Sequence, residues 1–156
     1  MRLLRRREGF SLLELVIVVA IVAVAAAIAV PSIVAAMRVS AYKSTMTTTV
    51  NRLATLRAQA SRGEATTFST ADIVLEHGSM VVNPQSVVPP DGVVAAEAIT
   101  FQGGTGHCFV GADLRAAAIV LASADDSREA YAIVIGSTSR ISTKRKTAEG
   151  WEDYSQ

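Results

Sequence analysis

The chain of 156 residues has a single cysteine, Cys108, and aromatic residues make up only 5% of it. One cysteine excludes an intrachain disulfide. The formal net charge is only +1, which gives no overall electrostatic attraction to nucleic acid. The informative feature is therefore the distribution of apolar and charged residues along the chain.

The run from Leu15 to Met37 contains no charged side chain. A helix of this length is sufficient to cross a hydrocarbon core of about 30 Å. Arginines precede the run at positions 2, 5, 6 and 7, and no further lysine or arginine occurs before Arg38. By the positive-inside rule, the amino terminus stays in the cytoplasm and the rest of the chain is exported. The sequence therefore predicts one membrane-spanning helix that anchors a periplasmic domain.

One acidic residue, Glu14, stands at the start of the apolar run. A charge at the centre of a bilayer costs roughly 2.5–3.5 kcal/mol even on mild scales, so a carboxylate here needs a compensating partner. Cleavage of the chain before Phe10 would create an α-amine, which is largely cationic at neutral pH. Phe10 and Glu14 are four residues apart and share a helix face. The geometry permits an ion pair within one chain or between neighbouring chains.

The segment Gly9-Phe10-Ser11-Leu12-Leu13-Glu14, followed by an apolar run to Pro31, resembles the class III signal of type IV pilins and type II secretion pseudopilins. The resemblance implies that a prepilin peptidase cuts between Gly9 and Phe10 and methylates the new amino terminus. It also implies that Glu14 meets the amino terminus of a neighbouring subunit and sets the axial stagger of a helical filament. The implied partners are other pilin or pseudopilin subunits, the prepilin peptidase, an inner-membrane assembly platform and membrane lipid.

Two other membrane interpretations explain less of the sequence. An ordinary signal peptide could be cut at Ala27-Ile28-Ala29, but the apolar run is longer than a typical signal-peptide core and contains Glu14. A plain signal anchor accounts for the span and leaves the Gly9-Phe10 pair and the carboxylate unexplained.

The helix is predicted to continue past the membrane to about Arg62. Apolar residues keep an approximate helical spacing there, at Met46, Val50, Leu53 and Ala60. Pro31 removes one amide and crowds a preceding carbonyl, so a kink or local melting is expected at that point. Gly63 is a plausible terminator.

The remainder of the chain is predicted to be β structure. Short apolar runs predict strands at 73–75, 80–82 and 98–101, a hairpin of 115–122 with 129–135, and a final strand at 139–143, with a turn at 89–92. The expected fold class is α+β, a long N-terminal helix packed on a C-terminal antiparallel β-sheet domain. Its expected parts are a cleaved leader (1–9), a transmembrane or filament-core helix (10–37), a periplasmic helix extension (38–63) and a β-rich globular domain (64–156).

The C-terminal part is similar to the H-type minor pseudopilins and the related FimT-like minor pilins. The similarity rests on Ile99-Thr100-Phe101, the turn Gly103-Gly104-Thr105-Gly106, the hairpin, and Ser139-Arg140-Ile141. It implies a minor subunit of a type II secretion pseudopilus; the alternative is a minor pilin of a type IV pilus that could bind DNA in uptake. That group commonly has a Gly-Arg pair where this chain has Ser139-Arg140.

Other candidate chemistry is sparse, and we expect no enzyme activity, no cofactor and no metal. The turn Gly103–Gly106 lacks the residues of a phosphate loop. His77, His107 and Cys108 match no zinc spacing and no nucleophile-base arrangement. Asp113, Asp125 and Asp126 are better explained by a solvated hairpin tip than by calcium binding.

The predicted domain has one basic cluster, Lys144-Arg145-Lys146, with Arg140 nearby. These side chains could contact the phosphates of DNA, as FimT-like subunits are thought to do. The favoured interpretation is a solvated tail balanced by Glu149, Glu152 and Asp153, so a nucleic acid partner is not expected. Trp151 and Tyr154 are expected either to pack on the sheet or to contact a partner subunit.

Overall fold

The computed structural model describes residues 11–75, 80–124 and 129–154. One α-helix, α1, runs from Leu12 to Ser61, and the chain divides into two compact units, residues 1–38 and 39–156. In the first unit the apolar side chains of α1 are exposed, and within the described residues α1 is the one helix long and apolar enough to cross a membrane.

Helix α1 is continuous through Pro31, so the local melting expected there is not found. The hydroxyl of Ser32 donates to the carbonyl of Ala29 at 2.8 Å. This bond does not replace the one that Pro31 removes, because the carbonyl that loses its amide donor is that of Ala27.

In the second unit, the C-terminal part of α1 packs on β structure. Met46, Leu53 and Ala60 are fully buried, and Val50 contacts the core that contains Leu53 and Ala60, which confirms the predicted apolar stripe. The buried face also includes residues that the pattern did not indicate, namely Tyr42, Thr45 and Thr49. Gly63 follows the helix with φ of +119° and donates its N–H to the carbonyl of Ala60 at 3.0 Å, as predicted for a terminator.

Ten strands follow α1 among the described residues: β1 (Thr66–Ser69), β2 (Met80–Val82), β3 (Val94–Ala95), β4 (Ala98–Phe101), β5 (Cys108–Val110), β6 (Asp113–Leu114), β7 (Ala117–Ser123), β8 (Ala130–Ile135), β9 (Ile141–Lys146) and β10 (Trp151–Asp153). The smaller sheet has the order β1-β4-β5-β6, and the larger sheet has the order β10-β9-β8-β7-β2. All pairs are antiparallel except β3, which pairs parallel with β7. The predicted α+β class is confirmed.

The central strands β7 and β8 are buried on both faces because their sequences are continuous apolar runs. On one face, Ile119 and Ile133 share a core with Leu53 of α1 and with Phe101 of the smaller sheet. On the opposite face the side chains are small, mostly alanine, and the connection between β2 and β3 covers them through Val87.

The predicted strands that form the hydrophobic centre of the sheets are confirmed, and two predictions, at 73–75 and at 139–143, are wrong. The predicted strands at 80–82 and 98–101 and the hairpin of β7 and β8 are confirmed, although part of the hairpin connection lies outside the described residues. The predicted turn near Pro89 is also present, since Val93 N–H donates to the carbonyl of Pro90 at 3.2 Å.

The strand predicted at 73–75 is wrong. A 3₁₀ helix, Thr70–Asp72, precedes these residues, and the Ser69 hydroxyl accepts from Ala71 N–H at its start. The strand lies earlier, at β1, where threonine and phenylalanine have high β-propensity.

The final strand was also misplaced. The strand predicted at 139–143 begins instead at Ile141 and continues through the basic cluster to Lys146, and a further strand, β10, pairs with it. The start is delayed because Ser139 has φ of +62°, a left-handed conformation that a strand does not accommodate.

Asn83 joins three segments at the edge of the larger sheet. Its backbone N–H donates to the carbonyl of Val120, Val120 N–H donates to its Oδ1, and its Nδ2 donates to the carbonyl of Ala96, each at 2.7 Å. The side chain thus acts as a short stretch of strand backbone between β2 and β3. Asn83 has φ of +48°, a conformation that asparagine tolerates better than most residues.

We expect Asn83→Ala to lower the free energy of unfolding by about 2–4 kcal/mol, because each buried group left without a partner costs roughly 1–3 kcal/mol. Asn51 lies exposed on α1, so Asn51→Ala should change stability by less than about 0.5 kcal/mol and is the matched control. The measurement is denaturant unfolding of the full chain in detergent, followed by circular dichroism. Equal stabilities of the two variants would contradict the role given to Asn83.

Candidate functional site

The predicted cleavage site, Gly9 and Phe10, lies outside the described residues. Glu14 lies in the first turn of α1 and is exposed, and no ion pair involves it among residues 11–75, 80–124 and 129–154. The first turn is the positive end of the helix dipole, which favours a carboxylate. The position of Glu14 therefore suits an approaching cation from outside the described chain.

The surface around Glu14 is apolar on every side of the helix. Large hydrophobic side chains from Leu12 to Met37 are exposed, and Glu14 is the one charged residue in that range. A helix that is hydrophobic all round requires burial, either in lipid or among other helices. This segment thus has the surface of a helix that is buried either in lipid or among other helices.

Residues 4–30 match the family described as the prokaryotic N-terminal methylation motif. No curated protein and no solved structure matches the chain. The N-terminal segment is therefore that of a type IV pilin-like or pseudopilin precursor. Proteins with this motif are processed by prepilin peptidase, are anchored by the apolar helix and assemble with other pilin-type subunits.

The basic cluster is part of a strand rather than a tail. Lys144 lies opposite Asp153 in β10, with 3.0 Å between Nζ and Oδ1, and Arg145 lies opposite Glu152. The guanidinium carbon of Arg145 is also 6.0 Å from the ring centroid of Tyr131. Among the described residues, the expected balance by acidic residues is thus found as one ion pair, that of Lys144 with Asp153.

The basic side chains of β9 are divided between its two faces. Lys144 and Lys146 alternate with Ser142 on one face of β9, and Arg145 lies on the other. Arg140 immediately precedes the strand and continues the same alternation. Arg140 is exposed, and it lines with Ser142 and Lys144 an open concavity of about 530 Å³. Three of the four predicted basic residues therefore lie along one side of the strand.

Trp151 and Tyr154 were expected either to pack on the sheet or to contact a partner subunit. Their contacts support the first role, because they hold β10 against the sheet from opposite faces. Trp151 Nε1 donates to the carbonyl of Val88 at 3.1 Å. The rings of Tyr154 and Tyr131 meet edge-on with 5.5 Å between their centroids. The centroid of the Tyr131 ring also lies 5.0 Å from that of Tyr42 in α1. Burial raises the pKa of Tyr131, so its hydroxyl stays protonated at neutral pH.

Ser139 is a site residue that the sequence analysis did not identify as structurally important. It is buried, it has φ of +62°, and its hydroxyl donates to the carbonyl of Gly106. Glycine adopts this left-handed conformation without steric cost, whereas serine needs a compensating contact. Here the hydroxyl bond holds the turn in place and fixes the start of β9.

The remaining candidates are explained by structural roles. Gly104 N–H donates to the carbonyl of Ala60 at 2.8 Å, so the glycine turn caps the end of α1. Cys108 is fully buried, and burial raises the pKa of its thiol to about 11. Asp113 forms an ion pair with Arg115 at 2.7 Å. His77, Asp125 and Asp126 lie outside the described residues.

Proposed function

We propose that the chain is a non-enzymatic minor pseudopilin, a structural subunit of the pseudopilus of a type II secretion system. The observation that carries the proposal is the methylation motif at residues 4–30. This motif includes the start of helix α1, in which Glu14 is the one charged residue before Arg38. The similarity of the C-terminal part to H-type minor pseudopilins supports the minor role.

The mechanism is assembly. The precursor enters the inner membrane with its amino terminus in the cytoplasm and its β domain in the periplasm. Cleavage after Gly9 leaves a methylated, cationic amine on Phe10, and the Glu14 carboxylate of a neighbouring subunit neutralises it. The apolar helices then pack in the filament core. The apolar surface of residues 12–37, which is exposed in the single chain, exchanges its contacts with lipid for contacts with the helices of other subunits.

Mass spectrometry of the natural product tests the proposal. We expect the mature chain to begin at N-methylated phenylalanine, Phe10. A chain that retains the arginine-rich leader, or that begins after Ala29, would contradict it. Loss of protein secretion, with pilus formation intact, in a strain that lacks the chain would separate a secretion subunit from a pilus subunit.

A second candidate is a minor pilin of a type IV pilus that binds DNA. The observation in its favour is that Lys144 and Lys146 lie on one face of β9, and that Arg140, just before the strand, lines a concavity together with Lys144. Cations two residues apart on a strand are spaced by about 6.7 Å, a distance that can follow a phosphate backbone.

This candidate predicts that neutralising Arg140, Lys144 and Lys146 to glutamine weakens DNA binding. If each cation contacts one phosphate, the slope of log affinity against log salt should fall in magnitude by about 2–3. Neutralising Lys43, Arg57 and Arg62, exposed cations on or next to α1, changes the net charge equally and is the matched control. Fluorescence anisotropy with labelled DNA gives both values. No binding at low salt would discard the candidate.

A further inference from the structure

Charge is segregated between α1 and the strands that follow it. Residues 38–62 contain five cations and no acidic residue; the cations are Arg38, Lys43, Arg52, Arg57 and Arg62. Residues 63–114, which include every strand from β1 to β6, contain six acidic residues and no lysine or arginine; the acids are Glu64, Asp72, Glu76, Asp91, Glu97 and Asp113. Two blocks of opposite sign give one chain two surfaces that attract each other between copies.

One side of α1 combines two of these cations with small residues. Four exposed residues recur there at helical spacing and form the basic side of α1: Lys43, Thr47, Ala54 and Arg57. Lys43 and Arg57 are 14 residues apart, which is about 21 Å along the helix axis. Neither cation takes part in an ion pair among residues 11–75, 80–124 and 129–154. The small residues between them allow another surface to approach the helix closely.

The smaller sheet turns one face outward. A row of four residues crosses its strands in register and forms this outer face: Thr67, Thr100, Phe109 and Leu114. Phe68, next to Thr67 in β1, is buried in the core on the other face. Phe109 is half-buried but packs against none of the three buried clusters of the described chain, and Leu114 is 51% exposed. The outer face thus presents an aromatic ring and a leucine side by side.

Two exposed acidic residues stand at opposite ends of the smaller sheet. Glu64 precedes β1 and Glu97 precedes β4, and these two strands are antiparallel neighbours. The N–H of Thr70 donates to the carbonyl of Glu97 at 2.8 Å, so Glu97 lies six positions from Glu64 along the line of β1, or roughly 20 Å. Neither carboxylate takes part in an ion pair in the described part of the chain. The separation of the two acids therefore matches that of Lys43 and Arg57.

We infer that the outer face of the smaller sheet binds the basic side of α1 from a second copy of this chain, with the two cations facing Glu64 and Glu97. The occupant is a second copy because both members of the complementary pair of surfaces belong to this one sequence. Contact between two different surfaces is heterologous, and it extends into a helical filament when the rotation between copies does not close a ring. The inference rests on the proposed role as a filament subunit.

The test is disulfide cross-linking between two differently tagged copies of the full chain in the cells that produce it. One copy carries Ala54→Cys on the basic side of α1, and the other carries Thr67→Cys on the outer face. Cys108 is buried and does not compete. We expect a disulfide-linked dimer of the two tagged copies. Thr48→Cys, exposed on another side of α1, is the matched control and should give about tenfold less dimer, because a disulfide needs Cα atoms within about 7 Å.

Charge reversal tests the electrostatic part of the contact. Lys43→Glu with Arg57→Glu, in the copy that carries the helix cysteine, should lower the dimer yield about tenfold because two attractive pairs become repulsive. Glu64→Lys with Glu97→Lys, in the copy that carries the sheet cysteine, should restore the yield. A general folding defect would not be repaired in this way. Loss of dimer without restoration would refute the assigned charge pairs.

Amino-terminal sequencing of the same samples separates this inference from the proposed function. A chain that is processed at Phe10 but gives no dimer from positions 54 and 67, or as much dimer from positions 48 and 67, overturns the docking inference alone. Cross-linking of position 54 to another protein in place of the second copy also overturns it. An unprocessed chain overturns the proposed function, and the docking inference with it.

Discussion

Replacement of Gly9 by valine is expected to leave the precursor uncut. The resemblance implies a peptidase that recognises glycine before the scissile bond, and a β-branched side chain there both adds bulk and restricts the backbone. Processing should fall at least about tenfold, which corresponds to about 1.4 kcal/mol in the barrier to cleavage. The uncut chain keeps the arginines at positions 5, 6 and 7, so it remains visibly larger on electrophoresis.

Ser11→Val provides the control for Gly9→Val, since it adds a similar side chain on the other side of the predicted bond. This variant should be processed normally and should begin at Phe10. Unchanged processing of Gly9→Val would refute the class III assignment. Failure of both variants would mean that the peptidase requires both sites, and the control would then be moved to Leu12→Val.

Replacement of Glu14 by valine should leave cleavage intact and prevent efficient assembly. The helix becomes more apolar and inserts readily, but the amine of a neighbouring Phe10 then lacks its counter-charge in the filament core. We expect incorporation into filaments to fall about tenfold or more, because an unpaired charge in an apolar environment costs roughly 2.5–3.5 kcal/mol. The measurement is the ratio of filament-bound to membrane-bound mature chain in sheared fractions.

Two further variants distinguish charge from bulk and polarity. Glu14→Gln keeps size and hydrogen bonding and should be as defective as Glu14→Val if the ion pair is responsible. Leu13→Val is an apolar change at the neighbouring exposed position and should assemble normally. Normal assembly of Glu14→Gln would exclude a charge-based role for Glu14.

The sequence predicted the fold where one physical signal dominated. The apolar runs of β7 and β8 and the helical spacing of Met46, Leu53 and Ala60 required burial, and the structure buries them. The methylation motif was likewise evident, because an acidic residue in a membrane-length apolar run is rare. In these regions local pattern and tertiary packing agree.

The predictions failed where packing between distant segments decided the structure. Residues 73–75 have strand composition, but the preceding 3₁₀ helix turns them away from the sheet. The basic cluster was assigned to a tail because its consecutive charged residues show no alternation of apolar and polar side chains. Strand β10, which pairs with it, is anchored by a hydrogen bond from Trp151 to Val88, 63 residues away in sequence. The role of Asn83 also depends on contacts with Ala96 and Val120, which no local pattern reveals.

The position of Cys108 has a consequence for a domain that is proposed to function outside the cytoplasm. An accessible lone thiol in an oxidising compartment would couple chains at random, or be converted to sulfenic acid. Cys108 is enclosed by both sheets and keeps its proton, since burial raises the pKa of the thiol to about 11. The subunit can therefore stay unreactive towards oxidants during export without a second cysteine to pair with Cys108 in a disulfide.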